Sequence, residues 1–272
     1  VTRARQIWKH VRRIWIAAGI TATAVFVIWS LIAYRPNSEA RQASIGDGAV
    51  AVTYTEGVWE LRAATRKARQ TALVFFPGAL VDPRAYAPLV RAVAAAGYPA
   101  FIVELPRRGA FGGADAPEVH VRFQAALRQL SGSAKVVLGG HSRGAVVASG
   151  LASRRLPGLA GLILIGTSHP RDVDLSELRV PVVKIAGTHD GLATTEEVKQ
   201  NASKLPAGTR WMWVEGGNHS QFGWYGFQPG DWRATIDAST QRRLMIEAVL
   251  ALLGDAETAG PSPDTAFGGP RR

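Results

Sequence analysis

The chain has 272 residues, a net charge of +11 and no cysteine. That length holds one large domain with additions, and a core of that size is stable without staples. The missing cysteine excludes disulfides, thiolate metal sites and a cysteine nucleophile. Basic residues are dense only before Ile14 and scattered elsewhere, so no nucleic-acid partner is expected.

The first segment, residues 1–34, reads as a basic N-terminus and a membrane anchor. Arg3, Arg5, Lys9, Arg12 and Arg13 precede a run from Ile14 to Tyr34 that carries no charge. About 20 apolar residues span a bilayer as a helix, and Trp15, Trp29 and Tyr34 lie near the ends, where aromatic rings favour the interface. The basic block favours a cytoplasmic N-terminus, which puts the remainder outside the cell membrane as a single-pass protein. A cleaved signal peptide is the rival reading. Its apolar run is usually shorter, and the best cleavage candidate, around Ser38–Ala40, is poor. Residues 35–48 read as a polar linker.

Residues 49–254 alternate strand and helix signals. Strands are expected at 50–55, 58–64, 72–76, 100–105, 135–139, 162–166, 180–187 and 210–216. Helices are expected at 83–95, 116–130, 143–154, 194–204 and 239–254. The runs "ALVFF" and "LILIG" are apolar throughout, as in strands covered on both faces. Alternation of this kind implies a mostly parallel central sheet with helices on both faces. Residues 255–272, rich in Pro, Gly and Ala, read as a disordered tail.

"GHSRG", residues 140–144, is a G-x-S-x-G between an apolar strand and a helix pattern, the context that motif requires. Such a turn lifts the Ser142 hydroxyl clear of the sheet and aims the Arg143 N–H at a developing oxyanion. A serine needs a base, and the base needs an orienting acid. "GTHDG" offers Asp190 and "GGNHS" offers His219, both after strands and in the order the motif demands. Capping of the helix near Thr194 is the plain alternative for Asp190. His120, His141 and His169 read as structural or rim residues. The loop "PGALVDPRAY" supplies a second oxyanion donor, Ala79 or Leu80, with Ala79 preferred. Phe222, Trp224 and Tyr225 follow His219 closely and either line the substrate pocket or pack the surface. No metal or organic cofactor is expected.

Three stretches, "FFPGALVDPRAYAPLVRAVAAAGYPAFIVELP", "LGGHSRGAVVA" and "EGGNHSQFGWYGFQPGD", carry a resemblance to the α/β-hydrolase superfamily. The likeness is to its small cap-less bacterial members near the dienelactone hydrolases. It implies an α/β class chain with the α/β-hydrolase fold and hydrolysis of an ester or related acyl bond, with Ser142 as nucleophile, His219 as base and Asp190 as orienter. Two features depart from that group. Its nucleophile is a cysteine, so its substrate does not transfer. Arg143 also stands where a small or apolar residue is usual, and it either meets an acidic substrate or lies on the surface. An acyltransferase uses the same residues, and a non-catalytic binding module would keep only the fold. Thr167 to Arg179 is too short for a lid domain, so an open site with a preference for short acyl chains is expected.

Overall fold

The structure is a computed structural model, and it describes residues 3–131 and 134–259. Eight strands form one sheet: β1 (Val50–Thr55), β2 (Val58–Ala63), β3 (Thr71–Phe76), β4 (Ala100–Val103), β5 (Lys135–His141), β6 (Leu159–Ile165), β7 (Val182–Gly187) and β8 (Arg210–Val214). Their order is β1-β2-β4-β3-β5-β6-β7-β8. β1 and β2 pair antiparallel, β2 meets β4 antiparallel, and every pair from β4 to β8 is parallel.

The helices of the domain are α3 (Ala87–Ala95), α4 (Pro117–Arg128), α5 (Arg143–Ala152), α6 (Thr195–Gln200) and α7 (Ala238–Thr258), preceded by α1 (Arg3–Ala33) and α2 (Ser38–Ala43). Alternate residues of the central strands serve opposite faces. Val137, Ile163, Ile165, Val183 and Ile185 pack with residues of α3 and α7. Val136, Leu138, Leu162, Leu164 and Val182 pack with residues of α4 and α5. β3 is buried along its whole length, because both faces are covered. The expected elements are all present, with ends moved by a few residues.

Three boundaries differ from the sequence reading. The linker 35–48 contains α2, whose Asn37 side chain accepts from the Ala40 N–H and whose Ala40 and Ala43 are buried. The tail does not begin at 255, since α7 continues to Thr258. There the Glu257 carboxylate accepts from the Gln70 and Thr71 N–H groups, and Lys135 Nζ donates to the carbonyls of Ala256 and Glu257. Residues 260–272 of the expected tail lie outside the described residues. The end of the anchor segment is part of the domain rather than separate from it. Tyr34 is buried in the core, edge-on to Tyr225 with ring centres 5.8 Å apart.

Among the described residues α1 holds the one helix long and apolar enough to cross a membrane, Arg5–Ala33, whose most apolar 18-residue stretch has a mean hydropathy of 2.1. Its C-terminal end is spliced into two loops. The Gly226 N–H donates to the Ala33 carbonyl, the Asp82 N–H to that of Tyr34, and the Asn37 N–H to that of Trp224.

Candidate active site

Ser142 stands between the last residue of β5 and the first of α5, with φ 51° and ψ −118°. A non-glycine residue there carries strain of roughly 1–3 kcal/mol, which the surrounding chain must hold in place. The two glycines of the motif explain how it does so. A Cβ on Gly144 would come within 1.9 Å of the Phe76 carbonyl oxygen, and one on Gly140 within 2.3 Å of the Gly144 carbonyl carbon. Backbone therefore lies against backbone on both sides of the serine. The Ser142 N–H is tied to the Ile165 carbonyl at 2.9 Å.

Asp190 and His219 come together from the loops after β7 and β8. His219 Nδ1 lies 2.9 Å from Asp190 Oδ2, and both side chains are buried. A carboxylate accepts, so Nδ1 is the donor, and in the neutral form of the ring Nε2 is left as an acceptor. Nε2 is buried and has no hydrogen-bond partner among the described residues. Asp190 does not cap α6. Its Oδ1 accepts from Leu192 and Ala193 N–H at 2.8 and 2.7 Å, which fixes its own turn. Thr194 caps α6 in a capping box with Glu197. The ring of His141, next to Ser142, lies 4.5 Å from the ring of His219, which brings the serine's corner to the histidine. Ser142 Oγ makes no hydrogen bond among the described residues.

His141 is fully buried, as a structural residue should be. The Tyr86 hydroxyl accepts from the Gly78 N–H at 3.1 Å and lies 2.7 Å from His141 Nδ1, within hydrogen-bond distance. Burial first, and the neighbouring His219 second, hold the His141 imidazole well below the usual histidine range, so it is neutral.

The loop after β3 carries the second set of N–H groups. Leu80, at φ 64°, donates its N–H to the Arg108 carbonyl at 2.7 Å. Gly78 donates to Tyr86. Among the described residues the N–H groups of Ala79 and Arg143 carry no hydrogen bond. The Arg143 side chain reaches outward to Asp115 at 3.3 Å and is partly exposed, which agrees with the surface reading.

Tyr225 borders a cavity that Asn218, Gln221 and Arg242 also line, whereas neither Phe222 nor Trp224 is among its lining residues. Phe222, Trp224 and Tyr225 are all buried in the core. Phe222 lies beside His141, the Arg242 guanidinium stacks 4.7 Å from the Trp224 ring, and Tyr225 meets Tyr34 and Tyr86. The chain here turns inward because Trp224 and Gly226 are hydrogen-bonded to the loops around them. The segment between β6 and β7 forms neither helix nor strand, so it builds no lid domain.

Two supporting residues carried no assigned role in the sequence. Asp231 is buried, and its Oδ2 accepts from the Ser220 N–H and hydroxyl at 2.8 and 2.6 Å. Its Oδ1 accepts from Gly191 and His219 N–H at 3.1 and 3.2 Å, so one carboxylate ties the His219 loop to the Asp190 loop. Gln241 of α7, also buried, accepts from the Asn218 N–H and donates to the Asn218 carbonyl. The stretch that holds Asp231 stood out in the sequence, but nothing local gave its direction.

A mostly parallel sheet of this order, with Ser142, Asp190 and His219 on loops at its C-terminal edge, is the α/β-hydrolase fold. A model of the alpha/beta hydrolase family matches residues 72–243. The chain belongs to the alpha/beta hydrolase family and is a hydrolase by fold and family. A comparison with curated proteins gives no match. Among solved structures, a dienelactone hydrolase-like promiscuous phosphotriesterase from metagenomic libraries is 18% identical, with a TM-score of 0.59 over 77% of this chain and 99% of that one. A structure from the work on the metagenome-derived lipolytic enzymes LipS and LipT is 12% identical, with a TM-score of 0.52 over 78% of this chain and 99% of that one. A membrane phospholipase A, described as a bacterial virulence factor, is 13% identical, with a TM-score of 0.56 over 94% of this chain and 100% of that one.

Proposed function

We propose that this protein is a membrane-anchored serine hydrolase that cleaves an ester or related acyl bond through Ser142, His219 and Asp190. One observation carries the reading: His219 is held by Asp190 through Nδ1 and keeps a bare, buried Nε2 beside the strained turn of Ser142. Nε2 takes the Ser142 proton as Oγ attacks the carbonyl carbon. The Ala79 and Arg143 N–H groups receive the oxyanion. His219 then gives the proton to the leaving oxygen, and water repeats the cycle on the acyl-enzyme. Catalytic hydrogen bonds are often open in a free enzyme and close with substrate, so an unbonded Ser142 Oγ is compatible with this role.

The anchor reading is supported by α1 and by its junction. The cleavage candidate around Ser38–Ala40 falls in α2, where Ala40 is fully buried. The membrane phospholipase matched over nearly the whole of this chain adds to that support. Basic residues before the span favour a cytoplasmic N-terminus and an extracytoplasmic hydrolase domain. The test is a fluorophosphonate probe on the full chain in detergent. Labelling of the wild type and none of Ser142→Ala is expected, and equal labelling of both would remove Ser142 from the role.

A further inference from the structure

We infer that the edge of the sheet bearing the candidate site lies against the bilayer, with Phe111 reaching into the hydrocarbon and Trp232 and Phe227 at the headgroups. The inference rests on the reading of α1 as a membrane span. Outside α1, few large apolar side chains are exposed, and four of them sit on loops at this one edge. They are Phe111 at 70% exposure after β4, Leu192 at 38% after β7, and Phe227 and Trp232 at 49% and 53% after β8. Exposed apolar groups gathered on one face mark a contact surface.

The occupant follows from α1. The helix leaves the domain at this same edge, since Ala33 and Tyr34 are bonded to the Gly226 and Asp82 loops. Phe111 lines one groove with Ile16, Ile20, Thr23 and Val27 of α1. Those residues lie roughly 10–25 Å along the helix from its spliced end, at about 1.5 Å per residue. They belong to the uncharged stretch that begins at Ile14. A lipid environment for that stretch is therefore a lipid environment for the Phe111 ring beside it. The flank fits as well: Arg35 is exposed directly after the helix end, and a cation there suits a headgroup layer over hydrocarbon.

The chain contains no cysteine, so single labels can be placed cleanly. Phe111→Cys, Trp232→Cys, Ile20→Cys and Ala207→Cys are each labelled with an environment-sensitive nitrobenzoxadiazole dye in the full chain. Ala207 is exposed in the turn before β8, at the opposite edge of the sheet. The proteins are reconstituted in vesicles of phosphatidylcholine with a minority of phosphatidylglycerol, and phospholipids spin-labelled on the acyl chain are the quencher. Strong quenching at 20 and 111, weaker quenching at 232 and none at 207 are expected. Quenching at 20, with 111 and 232 both behaving like 207, would overturn the inference and leave the anchor standing. No quenching at 20 would remove the anchor reading and the inference with it. A label at 111 that is unquenched by lipid, together with a disulfide-linked dimer formed by the unlabelled Phe111→Cys protein under a mild oxidant, would assign this face to a dimer instead. Phe111 and Trp232 are exposed, so loss of fold is not expected, and two positions keep the result independent of either one.

Discussion

Asp231→Asn tests whether the His219 loop is held by charge or by packing. The substitution keeps size and removes one acceptor. The remaining amide oxygen serves either the Gly191, His219 and Trp232 N–H groups or the Ser220 pair, and the amide nitrogen then faces donors. The Ser220 hydroxyl already accepts from the Gln228 N–H at 2.9 Å, which commits its own proton to Asp231. With the nitrogen toward Ser220, a buried backbone N–H loses its partner, at a cost of about 1–3 kcal/mol, and a charged hydrogen bond worth about 1.5–3 kcal/mol is lost with it. Partial recovery through the hydroxyl leaves roughly 2–4 kcal/mol, or about 5–15 °C in Tm for a domain of this size. His219 then sits on a loosened loop, and a small misplacement of a base costs about tenfold to a hundredfold in rate. The assays are Tm by circular dichroism and steady-state turnover of p-nitrophenyl butyrate. The expected result is a fall in kcat with KM nearly unchanged, because substrate does not touch Asp231. Wild-type kcat and Tm together would refute the argument that this carboxylate positions the histidine.

Four further outcomes follow from the packing. Gly144→Ala should cost more than the usual 1–3 kcal/mol of an overpacked core, since the new methyl meets the Phe76 backbone rather than a movable side chain, and soluble yield and esterase activity should fall together. Burial holds the Lys184 ammonium down at about 7, against an ordinary value of 10.5. The unfolded chain therefore binds more protons between those values, and stability rises with pH across that window. Lys184→Met should raise Tm most below pH 7, with the gain shrinking as pH approaches 10, and a gain independent of pH would contradict the burial cost. A truncation starting at Asn37 removes the buried Tyr34 and should be less stable by roughly 3–5 kcal/mol than one starting at Ile32, as read from urea midpoints. With Phe222, Trp224 and Tyr225 packed inward and no lid domain, butyryl esters should exceed decanoyl esters in kcat/KM, and a steady rise with chain length would reveal an apolar tunnel.

The sequence made the sheet legible because its central strands are apolar on both faces, and made Ser142 legible because two glycines are forced by backbone contact. Asp190 and His219 stood out because each follows a strand in a glycine-rich turn. Other features depended on contacts distant in sequence. "SEARQA" is polar, and only Ala40 and Ala43 touch the domain, so α2 looked like linker. The extension of α7 depends on Glu257 reaching Gln70 and Thr71, far away in the chain. The inward turn of Trp224 and Tyr225 needs Tyr34 and Arg242, which no local pattern announces.

The splice at Ala33–Asn37 makes the junction between helix and domain a stiff coupling rather than a leash. Its hydrogen bonds run to the loop that ends at Asp82 and to the loop that follows His219. The helix therefore meets the domain through the same two loops that flank Ser142, on the side of the candidate site rather than at the far end of the sheet.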